Sequence, residues 1–348
     1  MERITKFFLI GGRVLKTGIS VLITAWICHF FHLPAIFAVI TAIVTIEPTA
    51  SDSIKKGFVR FPAAAIGAAI SMFLTFQLGE TALTYALSAM FTIFLCHKLK
   101  LDDGIVVATI TAVAMIPATN DQYLLAFITR LATTSIGIII STIVNIIIFP
   151  PKFSPIINKY IDDIQELAAS ILQLKIQQIT AFNAETKKNI DKLFANMSSQ
   201  IDKTNKLCYY QREEFKYHKQ KHGEIRRLHH ALKRVNDLQL IAFHIGNLNH
   251  VNANQLNFSD EEREVVIKTL QSLIEILQNP VKTIREEHYK LIAEVDMIFR
   301  EWKTNIDEND PDHKYYHHFT PQTIILYELL SISDVLQDLQ QLYVKCKQ

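Results

Sequence analysis

The sequence predicts an all-α protein: a six-span transmembrane helical domain with an inverted three-helix repeat, followed by a cytoplasmic helical bundle. The distribution of charge supports the division. Residues 1–152 hold 11 Lys and Arg and 7 Asp and Glu, which leaves 25 and 27 for residues 153–348. Almost all of the long apolar runs also lie in residues 1–152. We therefore interpret residues 1–152 as a transmembrane domain and residues 153–348 as an all-helical cytoplasmic domain.

Charged and turn-forming residues divide the transmembrane domain into six apolar segments. The predicted spans are residues 15–31, 34–47, 60–78, 82–97, 104–117 and 124–149. Several are shorter than the ~20 residues that a perpendicular helix needs, so they fit a locally thinned bilayer or a partly re-entrant path. The basic N-terminus has no small-residue cleavage site before a soluble body, which favours a retained segment over a signal peptide.

The basic residues of this domain indicate its orientation. Apart from Arg130, every Lys and Arg lies at the N-terminus or after an even-numbered span. The alternate connections, HFFHLP, QLGET and PATNDQ, contain neither residue type. Because Lys and Arg are retained on the cytoplasmic side, both termini are predicted to be cytoplasmic. The pattern therefore predicts a multi-pass protein of the cell membrane.

An internal repeat is predicted within the transmembrane domain. Residues 59–71 align without gaps on residues 129–141, and the same offset of 70 aligns residues 38–49 on residues 108–119. The alignment pairs Thr41 with Thr111, Arg60 with Arg130, Gly67 with Gly137 and Ser71 with Ser141. Because each copy contains three spans, an odd number, the second copy is inverted in the membrane. Inverted repeats are typical of secondary transporters, whose pathways lie between the copies.

The candidate substrate-binding or pore residues are two arginines, two threonines and a glutamate. Arg130 lies on the side where Lys and Arg are otherwise absent, which favours a functional role. Arg60 fits a functional role and a positive-inside anchor equally well. Glu47 is either a cap at the interface or a partner that neutralises an arginine. Thr41 and Thr111 either bond to their own helix backbones or line a path.

Four small residues are candidates for helix packing. Gly67 and Ser71 continue a small-xxx-small row on their helix, and Gly137 and Ser141 are their equivalents in the second copy. Small residues at this spacing let helix backbones approach closely in lipid. We therefore favour packing over direct function for all four residues.

Capping signals and apolar periodicity predict about five or six helices in the second domain. Residues 154–155 and 320–321 are Ser-Pro and Thr-Pro pairs that supply N-cap and N1 residues, and residues 259–262 form a capping-box pattern. Apolar residues follow at heptad-like spacing. The three stripes are Ile157, Ile161, Ile164, Ala168 and Ile171; Val266, Leu270, Leu273 and Leu277; and Leu329, Ile332, Leu336, Leu339, Tyr343 and Cys346.

The sequence contains no arrangement that suggests an enzyme. It has no Gly-rich phosphate loop and no nucleophile–base pair, so we predict no catalytic residues, no cofactor and no nucleic-acid partner. The four cysteines lack CxxC or Cys/His ligand spacing, which argues against disulfides and zinc. His218 with His222, and residues 313–318, have spacings that could bind a metal. Charged helix faces and tyrosine-rich loops produce such spacings freely, so no metal is predicted.

Together these motifs resemble a known family. The six short spans, the segment EPT…S…KKGFVRFPAAAIGA, the segment R…TSIGIIISTIVNIIIFPP and the helical tail are similar to the bacterial aromatic acid exporter-like family. This family belongs to the wider fusaric-acid-resistance group, and small Gram-positive members look most similar. Larger relatives carry two six-span units, so the resemblance implies a homodimer. Plant malate channels of the same group look similar in layout, with basic residues lining an anion pathway. By position, Arg60 and Arg130 match that role.

Two functions are compatible with these observations. The first is a homodimeric transporter or channel in the lipid bilayer for small organic anions, with carboxylate efflux as its activity. The alternative is a membrane-anchored helical scaffold or signalling protein without transport activity. Anion flux in proteoliposomes supports the first, whereas function retained after replacing the spans with an unrelated anchor supports the second.

Overall fold

The structure is a computed structural model that describes residues 2–118, 122–148, 153–180, 183–217, 222–251, 256–309 and 320–347. Within these ranges the chain is helical and contains no strand, so the predicted all-α class is confirmed. The helices are α1 (Glu2–Phe30), α2 (Ala35–Thr45), α3 (Ala50–Leu78), α4 (Ala82–Lys98), α5 (Ile105–Met115), α6 (Tyr123–Ile147), α7 (Ser154–Thr180), α8 (Ala184–Glu214), α9 (His222–His250), α10 (Asp260–Gln278), α11 (Glu286–Asn309) and α12 (Pro321–Lys347).

The helices form two compact units. The N-terminal unit comprises residues 1–152 together with residues 212–219, and the C-terminal unit comprises residues 153–211 and 220–348. The last residues of α8 therefore group with the N-terminal unit, whereas the rest of α8 groups with the C-terminal unit.

Apolar helices of different lengths make up the N-terminal unit. Among the described residues, α3 and α6 are long and apolar enough to cross a bilayer, and α2 and α4 are shorter apolar helices. Helix α3 begins ten residues before the predicted third span because Thr49 caps it: the Thr49 hydroxyl accepts a hydrogen bond from the backbone N–H of Asp52 at 3.0 Å. It ends at Gly79, where a φ of 65° favours glycine.

Helices α1 and α4 end in the same way. Both carry the sequence Cys-His-x-x-x-Leu at their C-termini, and both place a non-glycine residue in the left-handed region, His32 with φ 53° and Lys100 with φ 58°. The N–H of the next residue then donates to the carbonyl five positions back: Leu33 to Cys28 at 2.8 Å and Leu101 to Cys96 at 2.9 Å. This pattern is a Schellman motif, and the two copies are 68 residues apart.

The same two helices bury equivalent rows of residues. Each row has a four-residue spacing, which places its members on one helix face. The rows are Lys16, Ser20, Thr24 and Cys28 on α1, and Thr84, Ser88, Thr92 and Cys96 on α4. The two helices also have corresponding neighbours: α1 packs against α2 and α6, and α4 packs against α5 and α3. The alignment at an offset of 70 residues pairs α2 with α5 and α3 with α6.

Glycines permit close helix crossings in this unit. A Cβ atom built on Gly137 of α6 would lie 2.5 Å from the carbonyl oxygen of Ala38 on α2. One built on Gly67 of α3 would lie even closer to the carbonyl oxygen of Ala108 on α5. Because real side-chain atoms do not approach a carbonyl this closely, each crossing requires a glycine.

The C-terminal unit is built from α7 to α12. The capping box is confirmed, since the Ser259 hydroxyl accepts from the Glu262 backbone while the Glu262 carboxylate accepts from the Ser259 backbone. Thr320 caps α12 by accepting from the N–H of Thr323. Helix α7 begins at Ser154, one residue earlier than predicted, because the carbonyl of Phe153 already accepts the first bonds of the helix. The described residues of the three stripes are buried, except Tyr343, which is half-buried.

Candidate functional site

Arg60 is buried on α3 and all of its guanidinium nitrogens are hydrogen-bonded. Its Nη2 lies 2.6 Å from the Glu47 carboxylate, its Nη1 donates to the Val44 carbonyl at 3.1 Å, and its Nε donates to the Asp103 carbonyl at 3.2 Å. Lys56 lies 3.3 Å from the other Glu47 oxygen. Of the two alternatives for Glu47, the structure therefore contains the contact with an arginine, and this arginine is Arg60.

Arg130 is buried on α6 in a different environment. Its Nη2 donates to the Thr111 hydroxyl at 2.5 Å, and its guanidinium carbon lies 4.1 Å from the centre of the Phe37 ring. Its Nε and Nη1 have no hydrogen-bond partner within the described part of the chain. No carboxylate of the described residues pairs with it, although only 3% of the residue is exposed. Among the described residues, the groups that contact this buried cation are thus a hydroxyl and an aromatic face.

The two candidate threonines have different partners. Thr41 donates its hydroxyl to the carbonyl of Phe37 at 2.9 Å, the bond to the preceding turn that a helical threonine commonly makes. Thr111 accepts the hydrogen bond of Arg130. Of the two, Thr111 is therefore the one that forms a hydrogen bond with a candidate charged residue within the described part of the chain.

The four small candidate residues are all buried. Gly67 and Gly137 lie at the α3–α5 and α2–α6 crossings described above. The Ser141 hydroxyl donates to the carbonyl of Ile138 at 3.0 Å, whereas the Ser71 hydroxyl has no partner among the described residues. Within the described residues, neither serine hydroxyl forms a hydrogen bond with the guanidinium of Arg60 or Arg130.

A third buried cation was missed by the sequence analysis. Lys16 of α1, 5% exposed, donates to the side-chain oxygen of Asn145 at 2.8 Å. The Asn145 amide nitrogen in turn donates to the Ser53 hydroxyl at 2.8 Å and to the carbonyls of Glu47 and Thr49 at 3.1 Å. The signal in the sequence was a single asparagine within the apolar run of α6, since a buried amide requires partners.

The described residues offer no clustered ligands for a metal ion. They contain no group of three or more His, Cys, Asp and Glu side chains that could hold an ion. His218 and residues 313–318 lie outside the described residues, as does the side chain of His222. Cys28, Cys96 and Cys208 are buried free thiols.

Long apolar helices surrounding buried basic side chains are typical of integral membrane proteins that handle ions or solutes. Residues 8–148 match the family model described as "Aromatic acid exporter family member 1". A UPF0421 protein of Bacillus cereus is 46% identical over 99% of this chain and 98% of its own length. A UPF0421 protein of Halalkalibacterium halodurans is 38% identical over 95% and 89% of the two chains, and one of Staphylococcus aureus is 36% identical over 77% and 82%. The chain belongs to this family of UPF0421 proteins. The match of residues 8–148 to the aromatic acid exporter model confirms the resemblance noted from its motifs.

Proposed function

We propose that the chain is a multi-pass transporter or channel of the cell membrane for small organic anions, that carboxylate efflux is its activity, and that it works as a homodimer. The observation that carries this proposal is Arg130, a buried guanidinium without a carboxylate partner among the described residues. The exporter description of the matching family model supports a transport role. No residue is assigned a catalytic role.

The chemistry of Arg130 suits a carboxylate. Placing an arginine at the centre of a membrane helix costs about 2.5–3.5 kcal/mol on insertion scales, so an uncompensated one is retained where it is used. Guanidinium is planar, always ionised and more weakly hydrated than ammonium, which favours binding in a partly dehydrated path. Thr111 accepts one of its five N–H donors, and the N–H groups of Nε and Nη1, which have no partner among the described residues, are available to a ligand.

The proposed architecture has six spans in two inverted three-helix repeats, with both termini and residues 153–348 in the cytoplasm. The matched ends and buried rows of α1 and α4 support the repeat. The glycine crossings support it further, because Gly67 with Ala108 and Gly137 with Ala38 are the same contact under an offset of 70. Larger relatives with two six-span units support the dimer by resemblance.

The two arginines then have separate tasks. Arg130 binds the anion, since its Nε and Nη1 have no partner among the described residues. Arg60 is held by Glu47 and becomes available to an anion arriving from the cytoplasmic side only when that ion pair opens. In this proposal the site is exposed to one side of the membrane at a time, as in other transporters built from inverted repeats.

The test is anion flux in proteoliposomes that contain the full chain. Carboxylates such as malate and benzoate should cross faster than through empty liposomes. Arg130→Ala should abolish the preference for anions, and Arg130→Lys should keep part of it because the charge survives. Arg300→Ala, which removes an exposed arginine of α11, is the matched control and should leave flux unchanged. If no carboxylate crosses faster than through empty liposomes, the transport proposal is wrong and the scaffold alternative takes its place.

A further inference from the structure

Two adjacent carboxylates of residues 212–217 contact the beginning of α3 within the N-terminal unit. Glu213 accepts hydrogen bonds from the Ser51 hydroxyl at 2.7 Å and from the Lys55 ammonium at 2.9 Å. Glu214 accepts from the backbone N–H of Ala50 at 2.7 Å. Both glutamates are only 2% exposed. The beginning of α3 therefore holds two carboxylates of the same chain.

The charges of this contact are well matched. The N-terminus of a helix carries a partial positive charge, which favours carboxylates beside it. Hydrogen bonds from Lys216, Ser51 and Lys55 lower the pKa of Glu213 to about 2. Because the pKa of Glu213 is lowered, its carboxylate stabilises the contact fully at pH values above the usual pKa of 4.5. This stabilisation is lost only as the pH falls towards 2. Glu213 is thus ionised throughout the physiological range.

The contact is linked to the proposed site through the connection between α2 and α3. Glu47, the partner of Arg60, lies in that connection, and Asn145 donates to the carbonyls of Glu47 and Thr49. Lys16, which Asn145 holds, interacts electrostatically with Glu214. Residues 47–55 therefore contain both the carboxylate that pairs with Arg60 and the groups that bind the two glutamates.

We propose that Glu213 and Glu214 act as an intramolecular carboxylate latch that inhibits transport by holding the start of α3. The inference rests on the proposed function, because the latch has the chemistry of the proposed substrate class. A soluble carboxylate that reaches this end of α3 competes with the glutamates and releases the latch. Substrate on the cytoplasmic side therefore activates its own transport.

Neutralising the latch tests this proposal in the full chain. Glu213→Gln combined with Glu214→Gln keeps the shape of the side chains and removes both charges. We expect carboxylate flux to rise at least threefold in proteoliposomes. The matched control, Glu264→Gln on the exposed face of α10, should leave flux unchanged. Unchanged or reduced flux in the double variant contradicts the latch, and reduced flux with a lowered melting temperature identifies the contact as a structural anchor instead.

A readout that does not depend on transport separates the two proposals. Ser51 is fully buried under the latch, so a Ser51→Cys thiol should react slowly with a hydrophilic maleimide. Its reaction should become at least tenfold faster with the double glutamine substitution, and faster with added malate than with added chloride. The protein without Ser51→Cys supplies the background from the native thiols. Equal reaction rates overturn the latch alone, whereas faster reaction without carboxylate flux in any variant overturns the proposed transport function and the inhibitory role with it.

Discussion

The contrast between the two buried arginines leads to a prediction about stability. Arg60→Ala removes a guanidinium that is 2.6 Å from the Glu47 carboxylate and leaves that carboxylate mostly buried. Breaking a buried ion pair by removing one partner costs about 3–5 kcal/mol. We expect the lower end, about 3 kcal/mol, because Lys56 remains 3.3 Å from Glu47 and the Glu47 side chain is 13% exposed.

Arg130→Ala should behave differently. It leaves no carboxylate of the described residues unpaired and removes a charge whose burial is itself unfavourable. The losses are one hydrogen bond to Thr111, about 1 kcal/mol, and the contact with the Phe37 ring, about 1–2 kcal/mol. Since the relieved burial offsets these losses, the net change should stay within about 1 kcal/mol.

The assay is equilibrium unfolding in mixed micelles, followed by helical circular dichroism. A double-mutant cycle of Arg60→Ala with Glu47→Gln isolates the ion pair, and the coupling free energy should be about 2–3 kcal/mol. The melting temperature of Arg130→Ala should remain close to that of the unmodified chain. Equal destabilisation by Arg60→Ala and Arg130→Ala would refute the reasoning, because it would mean that Arg130 has a buried counter-charge as well.

Two further predictions concern packing and pH. Gly67→Ala should lower the free energy of unfolding by about 1–3 kcal/mol, because the new methyl group overlaps the Ala108 carbonyl. The control is Gly18→Ala on α1, where no atom lies within 4 Å of the new methyl group. In a thermal unfolding assay this control should be neutral or stabilising. Burial lowers the pKa of Lys175 in the C-terminal unit from 10.5 to about 8. Because the unfolded chain then binds more protons between these values, this lysine should add stability as the pH rises from about 8 towards 10.5, by up to about 3 kcal/mol. Chemical unfolding at pH 7.5 and 10 should show this gain, and Lys175→Met should abolish it; the same pH dependence in the variant would contradict the assignment.

The difference between Arg60 and Arg130 also bears on how the proposed pathway is gated. A free arginine attracts an anion strongly: at an effective dielectric of 20, unit charges 4 Å apart interact by about 4 kcal/mol. An arginine already held by a carboxylate offers little of this attraction until its partner moves. Opening of the Arg60–Glu47 pair is therefore the step that the proposed mechanism requires on the cytoplasmic side.

Features that depend on neighbouring residues were predictable from the sequence. The capping box at Ser259 and the cap at Thr320 are local hydrogen-bond patterns, and both are present. The predicted fifth span, residues 104–117, is close to the observed α5 because an apolar run ends where its composition changes. The first ten residues of α3 were missed, since their polar composition suggested a loop. Thr49 and Asp52 form a local cap that could have indicated the earlier start.

The partners of the buried charges were decided only by the tertiary structure. In the sequence, Arg60 and Arg130 align at an offset of 70 residues, and the pattern of basic residues that distinguishes them does not identify the partner of either side chain. They differ because folding brings Glu47 of a neighbouring connection to Arg60, while Arg130 lies against Thr111 and the Phe37 ring. Helical periodicity determines which face a side chain occupies, but not which residues another helix presents to that face. Charge compensation in a buried site depends on that second relation, so the sequence determined the helices and their family, and the packing of the helices determined which arginine pairs with a carboxylate of the described residues.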